Sequence, residues 1–491
     1  MNKKYETVIG LEVHSQLLTK SKMFCGCGSD YQQAKPNSRV CPVCMGMPGV
    51  LPVVNKKAVE LIIKTGLAID CSINHETKFD RKNYSYPDLM KGYQISQFDL
   101  PVAINGKLNI SLDGKEKTIG VTRVHLEEDV ARLIHKNDPN GLSCSLIDIN
   151  RAGVPLMEIV SEPDMRSPEE ANEYLIKLHS IVRSIKASTA NMEEGSFRCD
   201  ANISIRLQGE TTLGTKVEIK NVNSFRSVFR ALKYEEIRQI NLLENGGEII
   251  QETRGWSDES EKTVSQRTKE FAADYRYFPE PDLPPIIISN QWVDEIKANI
   301  PELPAEKIQR YIKTFHLSEY DSSLLISEET ISTFFENTVN ECKKLNLNIQ
   351  TSAKTCANFL NVELPRLLNE QQIPISDIDT NPENFSSLIQ MISNETLNST
   401  MAKTVFDKML LEGKSPAEIS ENLGLTQISD INSLEQIISE ILSQNSSAVE
   451  DYLEGKETAI RFLVGQVMKE TKGKANPKIA TEILINQITK I

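Results

Sequence analysis

The hydrophobic pattern of the sequence changes its period once, and this change limits the folds that the chain can adopt. Up to about residue 290, apolar and polar residues alternate in segments such as TVIGLEVHSQL and KTIGVTRVHL, as they do in half-buried β-strands. After the proline-rich stretch FPEPDLPP (278–285), apolar residues recur with the period of an α-helix, as in AEKIQRYIKTF, CANFLNVELPRLL and MAKTVFDKMLLEG. The sequence therefore predicts a strand-rich first part and an all-helical second part.

Two helices are predicted within the strand-rich part. One begins with Ser167 as N-cap, Pro168 at the first helical position and Glu170 completing a capping box. The other runs from about Ser224 to Leu243 and stops at a pair of glycines. Many strands with few helices between them indicate an α+β fold built on a largely antiparallel sheet, followed by all-helical domains.

Length and charge restrict the class of protein. A chain of 491 residues exceeds what one hydrophobic core usually serves, so several domains are expected. The sequence contains no run of 18 apolar residues, and its first residues lack the apolar region of a signal peptide, which predicts a cytoplasmic protein without a membrane partner. The net charge is −13, and residues 291–491 account for −11 of it, with 18 basic and 29 acidic residues. Nucleic acid binding would therefore need a local basic patch.

Four of the nine cysteines form two close pairs, Cys25-x-Cys27 and Cys41-x-x-Cys44. An odd number of cysteines in a long chain argues against a disulfide framework and for reduced thiols. Four thiolates at this spacing can hold Zn²⁺ tetrahedrally, and such a closed site is structural because it leaves no position for a substrate. The sequence predicts a zinc knuckle; free or redox-active thiols are the alternative.

Polar residues recur on one face of several predicted strands. In GLEVHSQ, alternation places Glu12 and His14 on the same face, and Glu158 lies in the apolar run PLMEIV. The segment His125–Asp129 (HLEED) adds three carboxylates at a strand end. Each strand alone fits a solvated polar face, but together they suit a divalent cation and phosphate groups. The sequence contains neither a P-loop nor a Rossmann glycine motif, so a nucleotide would need another kind of site.

Eight segments, in order from about Tyr5 to the C-terminal end, resemble the B subunit of the tRNA-dependent amidotransferases, the GatB family of aspartyl/glutamyl-tRNA(Asn/Gln) amidotransferase. They are GLEVH, FDRKNYSYPDLMKGYQISQFD, HLEED, INRAGVPLMEIVSEPD, MEEGSFRCDANIS, EIKNVNSF, DYRYFPEPDLPP and FLVGQVMKETKGKANP. These motifs are long and specific, and they cover both parts of the chain.

The resemblance implies an ATP-dependent carbon–nitrogen ligase that works in a complex with the A and C subunits, of which the A subunit is a glutaminase. With ATP and Mg²⁺, the B subunit phosphorylates the side-chain carboxylate of Glu-tRNA(Gln) or Asp-tRNA(Asn), and ammonia from the glutaminase then displaces the phosphate. Two alternatives remain open: a non-catalytic tRNA-binding adaptor of the same complex, and a stand-alone metal-dependent hydrolase. The second is disfavoured because no H-E-x-x-H or comparable motif occurs.

The resemblance also implies domains and site residues. It divides the chain into a catalytic cradle domain with the zinc knuckle (1–292), a helical domain (293–405) and a helical tail that contacts tRNA (406–491). The implied Mg²⁺ ligands are His14, Glu128 and Glu158, with Glu12 beside them. Implied contacts to ATP phosphates or the tRNA end, for which a plain surface role is the alternative, are Arg81, Lys82, Lys216 and Lys220. The implied tRNA-backbone contacts are Lys469, Lys472, Lys474 and Lys478.

Overall fold

The computed structural model describes residues 4–137, 141–268, 275–425, 431–453, 456, 458–471, 475 and 477–489. It divides into two compact units, Met1–Pro304 and Ala305–Ile491. Among the described residues, every helix is too short or too polar to cross a membrane.

The strands found in the described part of the chain all lie in the first unit. They are β1 (Tyr5–Gln16), β2 (Ser72–Ile73), β3 (Glu76–Thr77), β4 (Asp80–Asn83), β5 (Tyr93–Ser96), β6 (Ala103–Leu112), β7 (Lys115–Glu128), β8 (Arg132–Asn137), β9 (Ser143–Asp148), β10 (Pro155–Ser161), β11 (Phe197–Leu207), β12 (Val217–Lys220), β13 (Glu252–Ser257), β14 (Lys262–Thr268), β15 (Phe278–Pro279) and β16 (Ile286–Ile287).

Of the helices in the described residues, four begin and end within the first unit and the others come after them. They are α1 (Lys56–Ala68), α2 (Pro168–Ser184), α3 (Phe225–Glu244), α4 (Asn290–Ala298), α5 (Pro304–Phe315), α6 (Glu319–Ile326), α7 (Glu329–Lys344), α8 (Ile349–Asn358), α9 (Leu364–Gln371), α10 (Pro382–Ser393), α11 (Ser399–Glu412), α12 (Pro416–Asn422), α13 (Ile431–Gln444), α14 (Ser446–Leu453), α15 (Thr458–Glu470) and α16 (Pro477–Ile488).

A nine-stranded sheet forms the first unit, in the order β14-β13-β12-β11-β1-β10-β7-β6-β2. Among the described strands of this sheet, only β12 and β13 pair in parallel. The small sheets β15-β4-β5, β16-β3 and β8-β9 surround it. The α+β prediction with a largely antiparallel sheet and a helical second part is therefore confirmed.

One face of this sheet is covered by α1, α2 and α3. The side chains of Ile9, Leu11 and Val13 from the central strand β1 are at most 1% exposed and lie in the same core as these helices. Because neighbouring residues of a strand point to opposite faces, the residues between them point away from the helices. The second face of the sheet is therefore available for polar side chains.

The second unit contains two hydrophobic cores. The first extends from Tyr311 to Ile419 and includes packed aromatic rings such as Phe385 and Phe406, whose centroids are 5.1 Å apart. The second begins at Leu434 and is formed mainly by α13, α14, α15 and α16. The boundary predicted near residue 405 falls inside α11, and Val405 belongs to the first core, so the change of core comes after Ile419.

The segment CANFLNVELPRLL was predicted as one helix and contains a local irregularity. A π-helical turn, Phe359–Glu363, joins α8 to α9. Pro365 follows it within the first turn of α9. Because proline lacks an N–H and crowds the preceding turn, a widened turn before it lets the two helices continue in sequence.

The start of α2 matches the predicted cap with one difference. The Ser167 hydroxyl accepts a hydrogen bond from the Glu170 N–H at 3.2 Å, as the capping box requires. The Glu170 carboxylate, however, accepts from the N–H of Arg166 at 2.6 Å and from Lys117, and this replaces the predicted bond to Ser167. The carboxylate thus ties the helix start to strand β7.

Replacing Ser167 with alanine should loosen the first turn of α2. Loss of this cap costs about 1 kcal/mol, which corresponds to about fivefold faster local opening. Hydrogen–deuterium exchange of the full chain should show faster exchange at Glu170 and its neighbours. Ser167→Asp keeps a capping oxygen and is the control; equal exchange in both variants would contradict the assignment.

Candidate active site and metal centres

A row of charged side chains lies on the face of the sheet that points away from the helices. These side chains belong to strands β7, β10, β1 and β11. The strand register pairs Glu12 with Asp200, and His14 with Glu158. Glu158 is in turn paired with His125. Directly paired residues lie on the same face, so these five residues form a continuous polar row.

The centre of this row is a group of three possible metal ligands, His14, Glu127 and Glu158. One donor atom from each lies within 4.8 Å of the others. His14 Nε2 lies 3.3 Å from Glu158 Oε2 and 3.7 Å from Glu127 Oε1. Both glutamates are buried, and buried carboxylates require cations. Two carboxylates and one imidazole therefore fit a divalent cation that completes its shell with water or phosphate oxygens.

A second histidine holds Glu158 in place. His125 Nε2 lies 3.3 Å from Glu158 Oε2, while its Nδ1 accepts a hydrogen bond from Arg123 Nε at 3.3 Å. Because Nδ1 accepts, the proton of a neutral ring is on Nε2 and is donated to the carboxylate. Arg123 and His125 thus orient Glu158, as groups behind a metal ligand usually do.

The cluster stabilises its own charges. Burial raises the pKa of Glu158, but the neighbouring His125 and His14 outweigh it and hold the pKa well below the usual value. Burial lowers the pKa of His14, but Glu158, Glu127 and Asp200 outweigh it and raise the pKa to about 9. At neutral pH without a metal, His14 is therefore a cation, and a bound metal ion would take the place of its proton.

The structure places Glu128 outside this cluster, which corrects the sequence prediction. Glu128 forms an ion pair with Lys91, and its carboxylate also accepts the N–H of Ile95 at 3.0 Å. The reason is the alternation of β7: Glu127 shares a face with His125, whereas Glu128 points to the other face. In this geometry, Glu127 takes the place that the sequence prediction gave to Glu128.

Lys82 lies near the carboxylates of the metal-ligand cluster. Burial lowers its pKa, but Glu127, Tyr277 and Glu158 outweigh this and raise the pKa above its usual value. Its ammonium lies 5.0 Å from the ring centroid of Tyr275. A protonated amine next to a metal-binding carboxylate pair can neutralise a phosphate group.

Arg81 occupies a different position from Lys82 because it points to the other face of β4. It donates two hydrogen bonds of 2.7 Å to the buried carboxylate of Glu280, which raises its pKa. Its guanidinium also lies 4.3 Å from the ring centroid of Tyr93. Arg81 therefore joins β4 to the segment after β15, and the structure does not bring it to the polar row.

The remaining predicted site residues extend the row along β12 and β1. Lys220 forms ion pairs with Asp200 at 2.7 Å and with Glu218 at 3.3 Å, which together outweigh burial and raise its pKa. Glu12 accepts a hydrogen bond from Asn202 at 3.0 Å. Lys216 is exposed and lines, with Glu12 and Asn202, a cavity of about 250 Å³ next to the cluster.

The four cysteines of the predicted zinc knuckle also meet. One sulfur from each of Cys25, Cys27, Cys41 and Cys44 lies within 4.8 Å of the others. Hydrogen bonding with Cys25 lowers the pKa of Cys44 to about 4. Burial is the main cause that raises the pKa of Cys27 to about 11, and hydrogen bonding with Cys41 is the next. Four sulfurs at this spacing can hold a zinc ion.

The knuckle loop, which carries the four cysteines, is hydrogen-bonded to the segment that leads into β10. The N–H of Arg39 donates to Asn150 Oδ1 at 2.7 Å, and the Asn150 amide donates to the carbonyl of Lys35 at 2.7 Å. The N–H of Met23 donates to the carbonyl of Gly153 at 2.6 Å. The loop therefore fixes the entry of the strand that carries Glu158.

The predicted tRNA-contacting lysines lie mostly beyond the described part of the chain. Lys469 is in the last turn of α15. Lys472 and Lys474 are outside the described residues, as is the side chain of Lys478. Their contact with tRNA stays a prediction.

Sequence reasoning gave Glu127, His125 and Asp200 no role of their own, although it named HLEED as a segment with three carboxylates. Alternation within VTRVHLEED places Glu127 and His125 on one face. The sequence of β7 alone does not determine which of its faces meets His14. Asp200 joins the row because β11 pairs directly with β1, where Glu12 is its partner.

Comparison with known proteins agrees with this architecture. Residues 7–294 match the family model of the GatB/GatE catalytic domain, and residues 333–488 match the GatB domain. The first match covers the sheet with its polar row, and the second covers most of the helical unit.

Curated relatives match along the whole chain and share one name, that of the B subunit of aspartyl/glutamyl-tRNA(Asn/Gln) amidotransferase. The relative from Dehalococcoides mccartyi (strain CBDB1) is 54% identical over 483 residues, covering 98% of each chain. That from Thermodesulfovibrio yellowstonii is 52% identical with the same coverage. That from Thermoanaerobacter sp. (strain X514) is 50% identical over 99% of this chain and 100% of its own. The chain therefore belongs to the family of the B subunit of aspartyl/glutamyl-tRNA(Asn/Gln) amidotransferase.

Proposed function

We propose that this chain is the ATP-dependent amidating subunit of a tRNA-dependent amidotransferase. Its substrates are Glu-tRNA(Gln), Asp-tRNA(Asn) or both, and its products are the corresponding Gln-tRNA and Asn-tRNA. The observation that carries the proposal is the cluster of His14, Glu127 and Glu158, with Lys82 beside it, in the domain that matches the GatB/GatE catalytic model.

The chemistry requires activation of a carboxylate. A carboxylate resists attack by ammonia, whereas an acyl phosphate is an electrophile with a good leaving group. The γ-phosphoryl group of ATP passes to the side-chain carboxylate of the aminoacyl group, and ammonia then attacks the acyl carbon and releases phosphate. A Mg²⁺ ion bound by the cluster supplies Lewis-acid stabilisation of the charge on the transferring phosphoryl group.

The side chains of this protein support that step in different ways. His14, Glu127 and Glu158 would hold the cation, and Arg123 and His125 orient Glu158 from behind. Lys82 supplies a fixed positive charge beside the same carboxylates. Lys220 already forms ion pairs with Asp200 and Glu218. Its role would therefore be to hold these carboxylates in place, since its charge is already compensated.

Partners follow from the proposed reaction. Ammonia must come from a glutaminase, which we assign to the A subunit, with the C subunit completing the complex. The misacylated tRNA would reach the tail through Lys469, Lys472, Lys474 and Lys478, and the acidic character of residues 291–491 would confine that contact to this basic stretch. The four cysteines would hold a structural Zn²⁺ that is separate from the reaction.

The neighbouring residues Glu127 and Glu128 provide a matched pair for testing the metal site. Glu127→Gln removes one ligand and should weaken the binding of Mn²⁺, a spectroscopic substitute for Mg²⁺, at least about tenfold. Glu128→Gln makes the same chemical change on the opposite face of β7 and should leave Mn²⁺ affinity within about twofold of that of the unmodified chain. Electron paramagnetic resonance titration measures both; the reverse order of effects would restore Glu128 as the ligand.

Amidation itself tests the proposed reaction. The chain, co-expressed with the A and C subunits, should convert Glu-tRNA(Gln) or Asp-tRNA(Asn) to the amide with free ammonium, Mg²⁺ and ATP, and not without ATP. Glu127→Gln should lower this rate at least about a hundredfold, as loss of charge stabilisation in an active site does, while tRNA binding is retained. Firm tRNA binding without any product from either substrate would instead support the adaptor hypothesis.

Metal analysis tests the zinc site. The purified chain under reducing conditions should contain about one equivalent of zinc per chain, and the Cys41→Ser, Cys44→Ser double variant should contain none. The double variant should also unfold at a lower temperature, because the knuckle loop fixes residues before β10. Less than about half an equivalent in the unmodified chain would contradict the assignment of a closed four-thiolate site.

A further inference from the structure

A lysine is buried against the cysteine cluster. The side chain of Lys22 is fully buried, with an exposed fraction of 0%. Its Nζ lies 3.5 Å from Cys44 Sγ, and within the described part of the chain this sulfur is the hydrogen-bond partner of the ammonium. A buried ammonium group is costly unless an anion compensates it. A thiolate at Cys44 would supply that anion.

The charge of a tetrathiolate zinc centre explains this arrangement. Four thiolates around Zn²⁺ leave a net charge of about −2, which is itself unfavourable in a partly buried site. One ammonium at hydrogen-bond distance reduces the net charge of the group by one. The two buried charges thus stabilise each other, and either one alone would be unfavourable.

The contacts around Cys44 concentrate this stabilisation on one sulfur. Cys44 is the buried member of the four, and its Sγ also accepts the N–H of Cys41 at 3.2 Å. The backbone N–H of Lys22 donates to the carbonyl of Cys27 at 2.9 Å, which fixes the lysine to the first half of the knuckle. Gly153, with a φ of +83°, passes close to both Lys22 and Cys44. The ammonium is therefore held in place by the fold.

We propose that Lys22 is a positioning residue of the zinc centre, which binds the Cys44 thiolate from outside the metal shell and tightens zinc binding. The proposal rests on the zinc site proposed above, but it concerns a residue that is not itself a metal ligand. Groups in this position commonly change metal affinity by about 10–100-fold.

The test uses the full chain and three variants. Lys22→Met keeps the length of the side chain and removes its charge, Lys22→Gln replaces the charge with a neutral polar group, and Lys20→Met removes an exposed lysine two residues away. Zinc affinity is measured by competition with a chromophoric chelator, and Co²⁺ substitution reports whether four sulfurs still bind the metal.

The expected result is that both Lys22 variants bind zinc about 10–100-fold more weakly, while Lys20→Met matches the unmodified chain. A lysine that only supports the fold would instead leave zinc affinity unchanged in both Lys22 variants.

A failure of the proposed role of Lys22 and a failure of the proposed zinc site would give different results. If the unmodified chain holds zinc and Lys22→Met holds it equally tightly, the role of Lys22 is overturned and the zinc site stands. Equal weakening in Lys20→Met would also overturn it, since any positive charge nearby would then suffice. An unmodified chain without zinc would overturn both the zinc site and the role of Lys22.

Discussion

Two buried carboxylates, Glu127 and Glu158, impose the strongest constraint on the polar side of the sheet. Neither could remain ionised there without partner groups, and the fold supplies these from the two strands that flank β10: His14 from β1, and His125 and Arg123 from β7. The strands can bring these groups together because residues of β1 on the opposite face, such as Leu11 and Val13, are committed to the core. The apolar face thus fixes the register, and the register creates the polar site.

The alternation that builds the site also separates two functions within one strand. Glu127 belongs to the metal-ligand cluster, whereas Glu128, one residue later, forms its ion pair with Lys91 and accepts the N–H of Ile95. A similar division occurs in β4, where Lys82 approaches the cluster and Arg81 binds Glu280. Residues that are adjacent in sequence and identical in charge therefore have unrelated environments.

These pairs show how much of the structure could be predicted from the sequence. Periodicity correctly predicted the α+β fold, the helical second part and the start of α2, because each depends on local pattern and capping. The cysteine spacing correctly predicted which four sulfurs meet. It was not possible to predict which of Glu127 and Glu128 joins His14, because that depends on pairing between strands far apart in the chain. The π-helical turn before Pro365 was likewise not predicted, because the spacing of apolar residues indicates a helix but not a local widening of one turn.

The pairing of β1 has a consequence for how the chain reaches its native state. In the described sheet this first strand has β10 and β11 as its neighbours, and the nearer of them in sequence begins at Pro155, far beyond the end of β1 at Gln16. At a synthesis rate of about 5–20 residues per second, β1 leaves the ribosome many seconds before either neighbour exists. Its apolar side and open edges are unprotected during that interval, and contacts of such long range form slowly. The strand that carries Glu12 and His14 is therefore made well before its neighbours and completed late, so the candidate site forms only when the sheet closes around it.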